Sequence, residues 1–453
     1  MNAYIVTRYE DIDHILMNPE EFSSANSVTP LWPVSEAAKE VLSRSFERVP
    51  TLTNADGERH ARMRRYVSRV LSPRRLVTLR PTIEATTESL IDVIAAKEVS
   101  DFYADLAYPL PAITAFSLLG FPAEDIEQLK AWVTDRQQLT WGKASGAAQV
   151  QIAENIVAFS DYIEKIIQER LNAPQDDVIS KLVEMHDEDP DALNLVDIAN
   201  IVFLLSAGAH ESTTNLLAHS IRRLLENREQ WLELCRDQSL IPNAIEEALR
   251  YDASAVAWPR LTRKDAMIGS VQVPAGSPLL IVFGAANRDE AVFEDSESFD
   301  IRRSGAKKHL SFGKGIHFCL GAPLARMELD VVLKALTRRV PGLEIVSAQD
   351  FPYQENAVMR SPQRLLVKVG TPAMPSQDAS ADGGAVAAAR GVRVSVDRDV
   401  CIASQMCMAT APGAFELDDE GVAVTTDGIA DVPVGRLREV VAQCPSGALT
   451  LHE

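Results

Sequence analysis

Apolar residues recur at helical spacing through most of the first 340 positions, interrupted by strand-like runs at residues 4–7, 270–273, 279–283 and 365–369. The pattern predicts a mainly helical domain with small β-sheets over residues 1–369. Residues 195–227 predict one long helix, apolar on nearly every face through 198–209, which must therefore run through the domain interior. Its sequence turns polar at Gly208-Ala209-His210-Glu211-Ser212-Thr213. Residues 370–391 are rich in Gly, Ala, Ser and Pro without a periodic apolar face, and read as a flexible linker. A coil of that length spans about 25 Å root-mean-square. From residue 392 to 453 the order becomes strand, cysteine-bearing loop, strands near 414–417 and 422–425, a helix near 434–443 and a last strand at 448–451. That is a small α+β unit whose apolar core alone is marginal, so a metal centre is expected to staple it.

Bulk properties narrow the function. A chain of 453 residues exceeds one ordinary core. The amino terminus lacks the basic and apolar regions of a signal peptide, and the longest apolar run is too short to span a bilayer. A cytoplasmic protein without membrane attachment is the expectation. The net charge of −19 argues against nucleic-acid and anionic-membrane binding and suits an electron-transfer partner that docks by charge. Five cysteines are too few and too scattered for a disulfide framework. Cys235 lies in an ordinary helical run, whereas Cys401, Cys407 and Cys444 cluster near the end.

The strongest local signal is Phe312-Gly313-Lys314-Gly315-Ile316-His317-Phe318-Cys319-Leu320-Gly321. It places one cysteine in a glycine-permitted loop directly before a helix, the arrangement that presents a thiolate to a haem iron. Gly313 and Gly315 let the backbone fold around the sulfur, and Gly321 lets the helix approach a flat macrocycle. Such a thiolate pushes electron density toward oxygen and favours O–O cleavage. The competing reading is a Gly-rich turn with an inert buried cysteine.

With that loop, residues 1–369 resemble the cytochrome P450 family. Glu247-Ala248-Leu249-Arg250 is similar to the family's Glu-x-x-Arg motif, 72 residues before Cys319, and is followed in family order by Pro259-Arg260, Ala286-Asn287-Arg288-Asp289 and Phe299-Asp300. The resemblance implies that Glu247 and Arg250 lock a helix to the loop beneath a haem b. It makes His60 and Arg64 the partners of the haem propionates, with Arg260 and His317 beside them; a solvated i,i+4 pair is the bland alternative for the first two. It also implies that Glu211 and an alcohol deliver protons over the distal face. The usual glycine is here Ala209, and the usual threonine aligns with Ser212, leaving Thr213 next to it. Adjacent helical positions point about 100° apart, so Ser212 rather than Thr213 is expected to face the iron. A further departure is Ser298, where many members place an arginine against the Glu-x-x-Arg pair. The first 19 residues resemble a segment that usually follows a helix and strand missing here, which implies a truncated start or a misassigned start codon.

Cys401 and Cys407, followed by Cys444-Pro445, resemble a single-cluster bacterial-type ferredoxin, with Ser404 where a further cysteine is familiar. Three thiolates predict a 3Fe-4S cluster on Cys401, Cys407 and Cys444; a 4Fe-4S centre with another fourth ligand, or a structural zinc, are the alternatives. Residues 391–453 carry ten acidic residues against four arginines. This acidic tail is expected to dock on Arg62, Arg65, Lys314 and Arg326 at the proximal haem face. No dinucleotide fingerprint follows a strand, so electrons are expected from a separate NAD(P)H-dependent ferredoxin reductase. The implied reaction inserts one oxygen atom of O2 into a small hydrophobic organic substrate. Residues 26–48 with Leu31 and Trp32, 254–258 and 356–359 are expected to line the pocket. The rivals are desaturation, coupling or peroxide-driven oxidation, or a non-catalytic haem carrier or sensor.

Overall fold

The computed structural model describes residues 3–370, 393–398, 401, 406–411, 413–418, 422–442, 444 and 448–452. Helices build most of the first region, as the apolar periodicity predicts. The ones that frame the site are α1 (Tyr9–Met17), α2 (Gly57–Val70), α3 (Ile126–Trp141), α4 (Gly146–Asn172), α5 (Leu195–Ala209), α6 (Glu211–Glu226), α7 (Ile241–Tyr251) and α8 (Ala322–Arg339). One large core joins α2 to α8, with Met63 and Val67 of α2, Ile198 and Val202 of α5, Leu217 and Ile221 of α6, and Leu329 and Leu333 of α8 buried together. α1 packs in a second core through Ile12 and Ile15.

The 195–227 segment is two helices, with His210 at the junction. Hydroxyls occupy the carbonyls at the junction. Ser212 Oγ donates to the Gly208 carbonyl (2.7 Å), and both Thr214 N (3.0 Å) and Thr214 Oγ1 (3.2 Å) donate to that of His210. Side-chain donation of this kind is a recognised cause of helix bending.

A four-stranded sheet packs at one side. It consists of β1 (Tyr4–Val6), β2 (Phe22–Ser23), β3 (Trp258–Thr262) and β4 (Pro278–Ile281), in the spatial order β1-β4-β3-β2. β1 runs parallel to β4, with Tyr4 opposite Leu279, and the other pairs are antiparallel. The expected strands near 270–273 and 365–369 form as Val271–Val273 and Leu366–Val369, each in a further antiparallel sheet.

Near the carboxyl end, β5 (Arg393–Val396) pairs antiparallel with β8 (Leu449–His452), and β6 (Phe415–Leu417) with β7 (Ala423–Thr425). α9 (Val434–Ala442) covers them through Leu437 and Val440, in a core that also holds Val394, Phe415 and Leu449. The expected linker falls outside the described residues except for Gly370. Among the described residues no helix is long and apolar enough to cross a membrane.

Candidate active site and cofactor centres

Cys319 sits at the end of a tight loop before α8. The loop closes by hydrogen bonds from Gly313 N to Leu310 O (2.8 Å), Phe318 N to Gly315 O (3.0 Å) and Cys319 N to Phe312 O (2.9 Å). Gly313 and Gly315 have φ of 67° and 68°, a region that L side chains rarely adopt. Gly315 is constrained twice, because a Cβ there would stand 2.5 Å from the Leu16 carbonyl of α1. At Gly321 a Cβ would lie 3.8 Å from Cys319 Sγ. Burial pushes the Cys319 thiol up, opposed by the backbone N–H groups of Gly321 and Ala322 and the charges of Arg64 and Arg326.

The thiol lines a large, mainly apolar cavity, together with Phe312, Gly313 and Gly321 of the loop. Arg64, Arg260 and His317 line the same cavity, and the His60 ring stands 4.1 Å from that of His317. Arg64 and Arg260 are each 4% exposed and neither pairs with a carboxylate among the described residues. Arg64 Nη2 donates only to the Phe318 carbonyl (2.6 Å), and Arg260 Nη1 to that of Pro259 (2.8 Å). Burial holds both guanidiniums down to about 10. Burial also takes His60 to about 4 and His317 well below its ordinary value. Nε2 of both histidines and Nε of Arg64 are buried without a partner. Asp56, whose charge reaches His60 and Arg260, is itself paired with Arg263 (2.7 Å), so the two buried guanidiniums and two imidazoles are unfavourable together unless a further anion joins them. The two carboxylates of a haem supply that charge, so the residues fit the group.

Over the opposite wall, Gly208, Ala209, Ser212 and Thr213 line the cavity. Both hydroxyl residues reach it, where the 100° offset between adjacent helical positions predicts one. Glu211 does not line the cavity. Its carboxyl is 4% exposed, with Oε2 unpartnered, and its charge acts on Tyr103 and Tyr108. Burial lifts it to about 8. His210 Nε2 lies 3.2 Å from the Tyr108 carbonyl, which anchors the junction away from the cavity.

Glu247 and Arg250 are wholly buried and paired through two hydrogen bonds of 2.7 and 2.8 Å. Arg250 also donates to the carbonyls of Asn287, Ser296 and Ser298, each at 2.9 Å. The arginine absent at Ser298 is supplied by Arg303, whose Nε donates to Glu247 Oε1 (3.1 Å). Two expected docking cations are neutralised nearby: Lys314 pairs with Asp13 (2.5 Å) and Arg326 with Glu246 (2.7 and 2.9 Å). Arg65 is exposed.

Of the expected pocket segments, Val28, Ser254, Ala255, Trp258 and Met359 line the cavity. Leu31 instead packs beside Trp141, Val358 and Met359, and Trp32 stacks under Lys143. Sequence reasoning missed α3, which contributes Arg136, Gln137 and Trp141.

Cys401, Cys407 and Cys444 share the small carboxyl-terminal core. Cys407 is pushed up to about 12, first by burial and then by the charges of the other two. Among the described residues no three metal-binding side chains stand in a ligating arrangement, and Ser404 lies outside those residues. In donor chemistry, three thiols crowded into one core fit an iron-sulfur group.

The helical frame, the cysteine loop before α8 and the buried Glu247–Arg250 pair define a cytochrome P450, and the chain belongs to that family. The family model described as Cytochrome P450 matches residues 146–369, and one described as Divergent 4Fe-4S mono-cluster matches residues 388–453. Cytochrome P450 CYP107DY1 of Priestia megaterium is 33% identical over 370 residues, covering 81% of this chain and 89% of its own. Cyclomarin C epoxidase CymV of Salinispora arenicola is 35% identical, covering 81% and 90%. Among solved structures, cytochrome P450 CREJ in complex with (4-ethylphenyl) dihydrogen phosphate superposes with a TM-score of 0.80 at 33% identity, covering 82% and 92%. An intact type IV self-sufficient cytochrome P450 monooxygenase gives 0.78 at 34%, covering 81% and 48%. The protein is a cytochrome P450 monooxygenase, a haem enzyme with an iron-sulfur ferredoxin-like region at its carboxyl end.

Proposed function

We propose that residues 1–369 insert one oxygen atom of O2 into a small, mainly hydrophobic organic substrate. Residues 392–453, tethered by 370–391, pass electrons to the haem from a separate NAD(P)H-dependent reductase in the cytoplasm. In this reading Cys319 ligates the haem iron. His60, Arg64, Arg260 and His317 hold the propionates, and Glu247 with Arg250 and Arg303 fixes the loop below. A thiolate-ligated haem supplies the reductive cleavage of O2. The second oxygen leaves as water, which consumes two protons and two electrons. Glu211, largely protonated near neutral pH, is a proton donor held off the cavity, and Ser212 or Thr213 relays the proton once the carboxyl turns inward. Cys401, Cys407 and Cys444 carry a 3Fe-4S cluster, with 4Fe-4S as the alternative.

The observation that carries this reading is Cys319 on the wall of a cavity that Arg64, Arg260 and His317 also line, with His60 packed behind His317. The test is spectroscopic. Haem-loaded protein, reduced under carbon monoxide, is expected to show the red-shifted Soret band of thiolate ligation, and Cys319→Ser to lose it. A wild-type spectrum without that band overturns the reading.

A further inference from the structure

One cation in the cavity is surplus to the haem. Arg136 of α3 lines the cavity and is 8% exposed, yet forms no ion pair and no side-chain hydrogen bond among the described residues. Its neighbour Asp135 is turned away, accepting from Asn155 Nδ2 (2.5 Å). The Arg136 guanidinium packs against the Phe203 ring of α5, 5.0 Å from its centroid. Arg48 approaches the same ring to 3.6 Å from an exposed position, its Nη2 donating to Ser45 Oγ (3.1 Å) and Ser160 Oγ (3.0 Å). Arg48 pairs with no carboxylate among the described residues either. Burial holds Arg136 down to about 10 and takes Arg48, whose guanidinium packs against rings, to about 9, the charge of Arg136 adding to the second shift.

These two form a cationic group separate from the propionate set. Beyond burial, the charges that lower His317 are those of His60, Arg260 and Arg64, whereas the charge that lowers Arg48 is that of Arg136. The two propionates of a haem already have four basic partners. Contact with the Phe203 ring offsets only a small part of the penalty of the unpaired buried Arg136 guanidinium, and Arg48, which also lies 4.2 Å from the Phe46 centroid, shares that ring. Trp141 of α3 lines the cavity too, and its Nε1–H is buried without an acceptor among the described residues. Gln137 donates through Nε2 to the Ala207 carbonyl (3.3 Å) and leaves Oε1 without a donor. This corner carries the unpaired positive charge of Arg136, while the lining as a whole is mainly apolar.

We propose that the substrate is an apolar molecule bearing one anionic group, a carboxylate or a phosphate monoester, which pairs with Arg136, and that Arg48 draws the anion in from the surface. Exposed Arg48 and cavity-lining Arg136 contact the same Phe203 ring, so their charges link the surface to the pocket wall. It gives an anion a local path into a protein whose overall charge of −19 would otherwise repel it. The proposal rests on the monooxygenase reading and adds the chemical class of its substrate.

The test uses the full-length haem-loaded protein and three probes that share one chain: octanoate, octyl phosphate and 1-octanol. Binding at neutral pH is followed by calorimetry and by the haem spin-state shift. At least one anion is expected to bind roughly 10- to 100-fold more tightly than the alcohol, and the stronger of the two identifies the head group. Arg136→Gln is expected to bring that ratio near one, Arg136→Lys to restore part of it, and Arg48→Gln to slow association of the anions. An unchanged thermal midpoint, or a higher one, for Arg136→Gln without ligand separates loss of binding from loss of fold. An alcohol that binds as well as both anions, no binding by either anion, or a preference that survives Arg136→Gln overturns the proposal. If the carbon monoxide band is absent, the monooxygenase reading fails, and calorimetry still decides the anion site.

Discussion

Glu328 of α8 is the most consequential unexplained charge in the core. It is wholly buried, and neither carboxyl oxygen has a partner. Burial raises its pKa from the ordinary 4.5 to about 8. The folded protein therefore keeps a proton that the unfolded chain releases as pH climbs above the ordinary carboxylate range. The stability linked to this site is fully present below about pH 4.5 and is lost progressively until the folded-state value of about 8 is passed. Each pH unit in that window removes about 1.4 kcal/mol, so between pH 5 and 8 the loss approaches about 4 kcal/mol. Glu328→Gln keeps the size and removes the titration. Urea unfolding of haem-loaded wild type and variant, followed by far-ultraviolet circular dichroism at each pH unit, isolates the site, because every other titrating group cancels in the difference. Wild type minus variant is expected to fall steadily from pH 5 to 8. A difference constant to within about 0.5 kcal/mol across that range refutes the assignment.

Three further outcomes are expected. Glu247→Ala leaves Arg250 and Arg303 facing an uncompensated site and is expected to cost about 3–5 kcal/mol, read as a lower thermal midpoint together with weaker haem retention. Ser212→Ala is expected to lower coupled product formation about 10-fold or more, with reductant diverted to peroxide, while Thr213→Ala stays near wild type; the reverse order assigns the relay to Thr213. Cys407→Ser is expected to abolish the iron-sulfur electron paramagnetic resonance signal and the non-haem iron while the carbon monoxide band persists, and in wild type a signal already present in the oxidised state distinguishes 3Fe-4S from 4Fe-4S.

What could be read in advance follows the range of the interactions. The cysteine loop and the Glu247–Arg250 pair are local, with glycines and an i,i+3 spacing that carry their own geometry, and both are visible in the one-dimensional pattern. The polar run 208–213 likewise marks a disturbed helix. The direction of the Glu211 carboxyl is not legible, because it depends on Tyr103 and Tyr108, a hundred residues upstream. Arg303 replaces the arginine missing at Ser298 through a loop whose course no periodicity describes. Arg136 hides for a different reason. In the run Trp132-Val133-Thr134-Asp135-Arg136-Gln137 it looks like part of a solvated face, and only the packing of α3 on α5 turns it inward. The two-residue strand β2 has no sequence signal of its own and exists only through its pairing with β3.

The close approach of Gly315 to Leu16, reinforced by Lys314 on Asp13, means that the loop bearing Cys319 rests on a helix some three hundred positions earlier. Colour in this enzyme is thereby tied to its leading segment. Proteolytic trimming through α1, or a bulky tag wedged beneath it, would loosen the floor under the sulfur and bleach the protein before the remaining helices begin to melt.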